Sequence, residues 1–192
     1  MPTNVAISDN PLLKCSGLPP FTEVKPDHVE PALNQLLLEL NEELTQLEAN
    51  VKPTWSDLVE PLERLTERLT WSWGIVSHLM GVQNSPQLRQ AYETVQPQII
   101  GFSNRVSQSK PIYNTFKALA EGDIWNTLDS AQQRIVESAI RDAELSGIGL
   151  AGEAQEDFNE MVQEAAARFQ PGKEWLTLML VDDAMRIHHH FF

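Results

Sequence analysis

One histidine, His78, lies among two tryptophans and two glycines in the stretch TERLTWSWGIVSHLMGVQNS, residues 66–85. A histidine in such a setting can bind a metal through a ring nitrogen or act as a general base. The spacing weighs against both roles. On a helix, Trp71, Ile75, His78, Leu79 and Val82 form one stripe, and Trp73, Val76 and Met80 form a second. Gly74, His78 and Gly81 line a third face, where small residues would let another backbone come close. A helix that is apolar nearly all round belongs in the middle of a bundle. His78 is therefore expected to be a core side chain with a hydrogen-bond partner. Trp71→Ala is expected to cost about 3–5 kcal/mol, as large aromatic truncations in cores do.

The other chemistry-bearing residues are scattered. His188, His189 and His190 are consecutive. On a helix they would point about 100° apart from one another, since one turn takes about 3.6 residues. On an extended segment His188 and His190 share a side, with Asp182 and Asp183 upstream as oxygen donors, and these two histidines are the weak metal candidates. The sequence has no His-Glu-x-x-His and no Cys-x-x-Cys. Glu42-Glu43 and Glu60, Glu63 and Glu67 have helical surface spacing, the latter set interleaved with Arg64 and Arg68. That pattern predicts a solvated face with local ion pairs rather than an acid–base pair. Cys15 is the single cysteine, with no histidine or asparagine beside it to serve as a partner. Gly147, Gly149 and Gly152 are not preceded by a strand, as a phosphate-binding loop requires. An interhelical loop is expected there. No catalytic residue is assigned, and substrate-binding residues stay unassigned.

The elements that must position these residues read as helices. GLPPF and the preceding NPLL suit an extended N-terminal arm over residues 1–24. Val29, Leu33, Leu36, Leu37, Leu40, Leu44 and Leu47 recur at gaps of three and four, which predicts an amphipathic helix with Pro26 in its first turn and an early kink at Pro31. A second helix starts at a Thr54 cap and should bend at Pro61. A third starts with Ser85 and Pro86 and buries Leu88, Tyr92, Val95, Ile99 and Phe102. A short fourth ends at Gly122. A fifth runs from an Asp129/Gln132 capping box to a stop at Gly147. A sixth starts near Glu153. No segment alternates with period two for long enough to read as a strand. The expected fold is all-α, an antiparallel bundle of about six helices over residues 25–168. An irregular apolar and histidine-rich tail follows at 169–192.

Composition narrows the function classes. The net charge is −13, which repels phosphate backbones and anionic headgroups and so argues against nucleic acid and membrane surfaces. One cysteine allows no internal disulfide and fits a reducing compartment. No basic-then-apolar leader opens the sequence, and a cytoplasmic location is expected. The dense apolar tail segment WLTLMLV must pack somewhere or expose a sticky patch. Self-association or docking through apolar surface is the corresponding partner expectation.

Five segments together carry a resemblance: NPLL (10–13), LPPF (18–21), KPDHVEPA (25–32), TWSDLVEPLERLTERLTWSWGIVSHLMGVQNSPQLRQAYE (54–93) and AQQRIVESAIRDAELSGIGL (131–150). They resemble the N-terminal region of the oligopeptidase A branch of the thimet-oligopeptidase-like zinc metallopeptidases. The resemblance implies a nearly all-helical enzyme with a deep channel that cuts short peptides. It implies a zinc ion held by a His-Glu-x-x-His helix and a later glutamate, in the half of the family's chain that has no counterpart here. No catalytic residue carries over, and the helices read as one wall of the channel, inactive alone. A stand-alone helical interaction module is the alternative. The resemblance stops at about residues 161–169. A reading-frame shift, an alternative transcript end and a genuine short relative are the three origins left open for the tail.

Overall fold

A computed structural model describes residues 9–168; the tail histidines His188 and His190 lie outside the described residues. Every long element among the described residues is an α-helix: α1 Pro26–Asn50, α2 Glu60–Val82, α3 Pro86–Ser107, α4 Lys110–Glu121, α5 Ser130–Leu145 and α6 Glu153–Arg168. Short 3-10 turns occupy Pro11–Leu13 and Asp123–Thr127. The all-α expectation therefore holds.

The caps explain most of the helix boundaries. Ser85 Oγ accepts from the Leu88 N–H at 3.1 Å, and Ser109 Oγ accepts from the Ile112 N–H. The Asp129 side chain accepts from Ala131 and Gln132 N–H, while the Gln132 side chain returns to the Asp129 N–H, completing the capping box. Each cap satisfies a backbone donor that the first helical turn leaves without a partner. At the far end of α5 the Gly147 N–H donates to Glu144 O and the Ile148 N–H to Ala143 O. With φ of +80° at Gly147, this is a Schellman closure.

Around Pro61 the structure deforms in a specific way. Thr54 caps the Asp57 N–H, but the first turn, Trp55–Val59, is π-helical, and the Glu60 N–H bonds back to Trp55 O. Proline cannot donate, and its ring crowds the carbonyl four residues earlier. A widened turn directly before Pro61 is one way to relieve that crowding.

The described chain forms two compact units, residues 9–43 with 63–99 and residues 44–62 with 100–168. In the first, Val29, Leu33, Leu36 and Leu40 of α1 are buried, as are Leu65, Leu69, Trp73, Ile75, Val76, Leu79 and Met80 of α2. From α3, Leu88, Ala91, Tyr92, Val95 and Ile99 complete the apolar set. Trp73 and Tyr92 stack with ring centroids 4.4 Å apart. The segment before α1 is pinned by polar atoms. Asn10 Nδ2 donates to His28 O at 2.9 Å and Asn10 Oδ1 accepts from the Leu12 N–H. Ser72 Oγ donates to Leu12 O at 2.7 Å, and both Ser72 and Leu12 are fully buried. In the second unit, Leu58, Val59, Ile112, Phe116, Leu119 and Val136 form the core, flanked by Trp55, Leu62, Trp125 and Ile140.

The central-helix expectation for α2 is corrected. Trp73 is buried, but Trp71 is only partly so, and Gly74, His78 and Gly81 are exposed. A Cβ built on Gly74 or Gly81 meets nothing within 4 Å. Among the described residues, then, no second backbone comes close to this face. The α2 helix is amphipathic, with its aliphatic stripe inward and its glycine–histidine face outward. Trp71→Ala should accordingly cost less than the core figure, and Trp73 takes over that role.

Candidate functional site

His78 is exposed and tilts against the Phe21 ring, with centroids 4.7 Å apart and planes at 46°. Among the described residues no three His, Cys, Asp or Glu side chains converge as a metal cluster would require. Burial pushes the Cys15 thiol up, and the Ser72 hydroxyl beside it pulls the other way without prevailing. A raised pKa keeps the sulfur protonated, the unreactive form.

Arg68 pairs with carboxylates on another helix rather than with its sequence neighbours. Arg68 of α2 reaches α1, where it bridges Glu39 and Glu43 at 2.5 Å each. These acids are one helical turn apart, so one guanidinium fork can engage both. The Gln35 amide and Arg68 together hold Glu39 below the usual carboxylate range. Burial would lower the Arg68 pKa, but its bonds to Glu43 and Glu39 outweigh that and raise it. This is a brace between helices, with no spare proton to transfer.

A feature the sequence did not flag lies in the second unit. Lys110, Tyr113 and Asn114 of α4 line a cavity of about 430 Å³ with Glu144, Ile148 and Gly149 from the end of α5. Tyr113 OH donates to Glu144 Oε1 at 2.8 Å. That bond, with the negative charge beside it, holds the phenol above its ordinary range. Lys117 sits with its ammonium 5.7 Å from the Tyr113 ring centre. Positions 110, 113, 114 and 117 recur at helical spacing, which could have marked a polar stripe; the Glu144 partner, 31 residues on, has no local signal. None of these groups forms a nucleophile–base pair, so the arrangement suits binding rather than bond cleavage.

The family model for the neurolysin/thimet oligopeptidase N-terminal domain matches residues 33–155. A probable cytosolic oligopeptidase A from Arabidopsis thaliana is 48% identical over 85% of this chain, covering 23% of that relative. The organellar oligopeptidase A of the same plant, chloroplastic/mitochondrial, is 49% identical over 82% of this chain and 20% of its own length. Oligopeptidase A of Escherichia coli strain K12 is 40% identical over 79% of this chain and 22% of its own. The chain thus spans between a fifth and a quarter of the relatives it matches. No helix among the described residues is long and apolar enough to cross a membrane. By the extent of these matches, the chain belongs to the neurolysin/thimet oligopeptidase family and corresponds to its N-terminal domain.

Proposed function

We propose that this chain is the helical channel-wall part of a zinc-dependent oligopeptidase that degrades short peptides, and that it does not hydrolyse peptides by itself. The observation that carries this is the match of residues 33–155 to the family's N-terminal domain in a sequence without His-Glu-x-x-His. The described residues do not suit a zinc ion, since no three donor side chains converge. No zinc ligand is assigned among the described residues, and no step of hydrolysis is assigned to them. A helical wall contributes by excluding folded proteins and admitting flexible peptides. The cytoplasm is the proposed compartment, supported by a single cysteine that allows no internal disulfide and by a relative named as cytosolic.

Purified chain with added zinc is expected to leave a quenched fluorescent peptide uncut. Turnover that a chelator abolishes would overturn this reading.

A second reading, a stand-alone interaction module, is favoured by exposed apolar side chains. Leu18, Val82, Leu145 and Met161 are all more than half exposed, the kind of side chain that a docking partner would cover. Concentration-dependent association in sedimentation would support it; a monomer at high concentration without binding of an apolar dye would exclude it.

A further inference from the structure

We propose that the α4–α5 groove is a binding site for a small zwitterion: a free amino acid or the end of a short peptide, with a carboxylate and an ammonium either side of an apolar side chain. The proposal is independent of the channel-wall reading, because it rests on the groove's own chemistry.

The groove has the size of a small-molecule site, which runs to roughly 300–1,000 Å³, at about 430 Å³. Its polar groups have opposite sign. Lys110 is the first residue of α4, where the helix dipole adds to its positive charge and favours an anion. The Asn114 carboxamide lines the same side of α4 one turn on, and its N–H groups with the Lys110 ammonium are donors suited to a carboxylate. Across the groove, Glu144 uses one oxygen for Tyr113 OH. An ionised carboxylate offers about four acceptor positions, so its second oxygen can receive an ammonium. Tyr113 fixes the direction of Glu144.

Ile148 and Gly149 complete the lining. Ile148 is 6% exposed, held by the Schellman bonds that close α5. Gly149 leaves the rim open, since a Cβ there meets nothing within 4 Å. The arrangement places the ligand carboxylate toward Lys110 and Asn114, its ammonium toward Glu144, and its side chain at the open Gly149 rim.

The test is an NMR titration of the full 192-residue chain with L-leucine, the tripeptide Ala-Leu-Ala, its C-terminal amide and its N-acetyl form. Saturable shifts confined to residues 110–117 and 144–149 are expected with the zwitterions, weakening about tenfold when either end is capped. Whichever of leucine and Ala-Leu-Ala binds tighter identifies the source. Lys110→Met and Glu144→Gln should each weaken binding about tenfold. Gly149→Trp should abolish it by filling the groove, with an unchanged circular-dichroism melt showing that the fold is intact. No saturable shift at about 10 mM ligand, or equal affinity in the folded Gly149→Trp chain, or indifference to capping both ends, would overturn the proposal.

Discussion

Residues 9–43 with 63–99 and residues 44–62 with 100–168 hold their terminal segments with polar groups at different depths. In the first unit the polar pins are fully inside. Ser72 and Leu12 are 0% exposed and joined by a single hydroxyl-to-carbonyl bond, and Asn10 spends both ends of its amide on backbone. In the second unit the polar contacts that hold α6 lie at the margin. Gln108 Nε2 donates to Ser146 O at 2.9 Å and Asn159 Oδ1 at 2.7 Å, and the Gln155 amide donates to Gln108 Oε1, all partly buried. Among its described side chains α6 buries only Ala166, with Phe158 and Val162 partly covered. A buried pin that loses its partner has no water to turn to, whereas a marginal amide does. The first unit should therefore fail all at once, and α6 should come loose before the rest of the second.

The sharpest way to break the comparison is at the aromatic stack. Trp73→Ala should destabilise by about 3–5 kcal/mol, measured by chemical denaturation, whereas Trp71→Ala should cost clearly less. Equal losses would mean that the two faces of α2 are not distinguished by burial. Trp71 carries a further signature, because its indole N–H is enclosed without a hydrogen-bond partner. Trp71→Phe removes that unpaired donor and should cost little for so large a side chain.

Ser72→Ala comes next, at about 1–3 kcal/mol, because the buried Leu12 carbonyl loses its side-chain donor. Proteolysis at residues 9–25 should rise in the same variant; an unaltered cleavage pattern would show that this pin does not hold the segment. Gln108→Ala should cost about 1 kcal/mol. Its clearer mark is faster hydrogen exchange in α6 with α4 and α5 unchanged. Uniform acceleration across the unit would refute a separately loosening α6.

The smallest effect is spectroscopic. The chain has two tyrosines, and both titrate above the ordinary range for different reasons. Burial raises Tyr92, with the Ser77 hydroxyl opposing, whereas the bond to Glu144 raises Tyr113. A tyrosine raised in the folded state contributes stability below its unfolded pKa, and that contribution disappears as pH climbs through the folded value. Both contributions are thus complete at neutral pH and vanish only in alkali. In an ultraviolet titration, Glu144→Gln should return one tyrosine toward the ordinary range and leave the other high. Movement of both, or of neither, would contradict the assignment.

How much was legible beforehand follows the range of the interactions. The caps at Thr54, Ser85 and Asp129 and the stop at Gly147 are contacts over two to five residues, so side-chain type and spacing specify them directly. The apolar positions of α1 and α3 repeat with one unambiguous period, and their buried faces followed from it. In α2 the apolar residues nearly encircle the helix. Periodicity there marks overlapping stripes and cannot choose among them, which is why His78 reads as buried and is exposed. The Arg68 pairs span 25 and 29 residues, and local charge spacing suggested nearer partners. The groove needs α4 beside the Schellman turn, a juxtaposition without a sequence motif.

By itself, then, the sequence determined the helices, their ends, the all-α class and the family resemblance, because each depends on local hydrogen bonding, hydrophobic period or matched segments. Only the tertiary structure decided which side of α2 faces inward, which tryptophan is core, where Arg68 points and that Tyr113 meets Glu144. Those outcomes depend on which surfaces come together after distant segments fold, and burial and charge pairing are properties of that contact rather than of the residues alone.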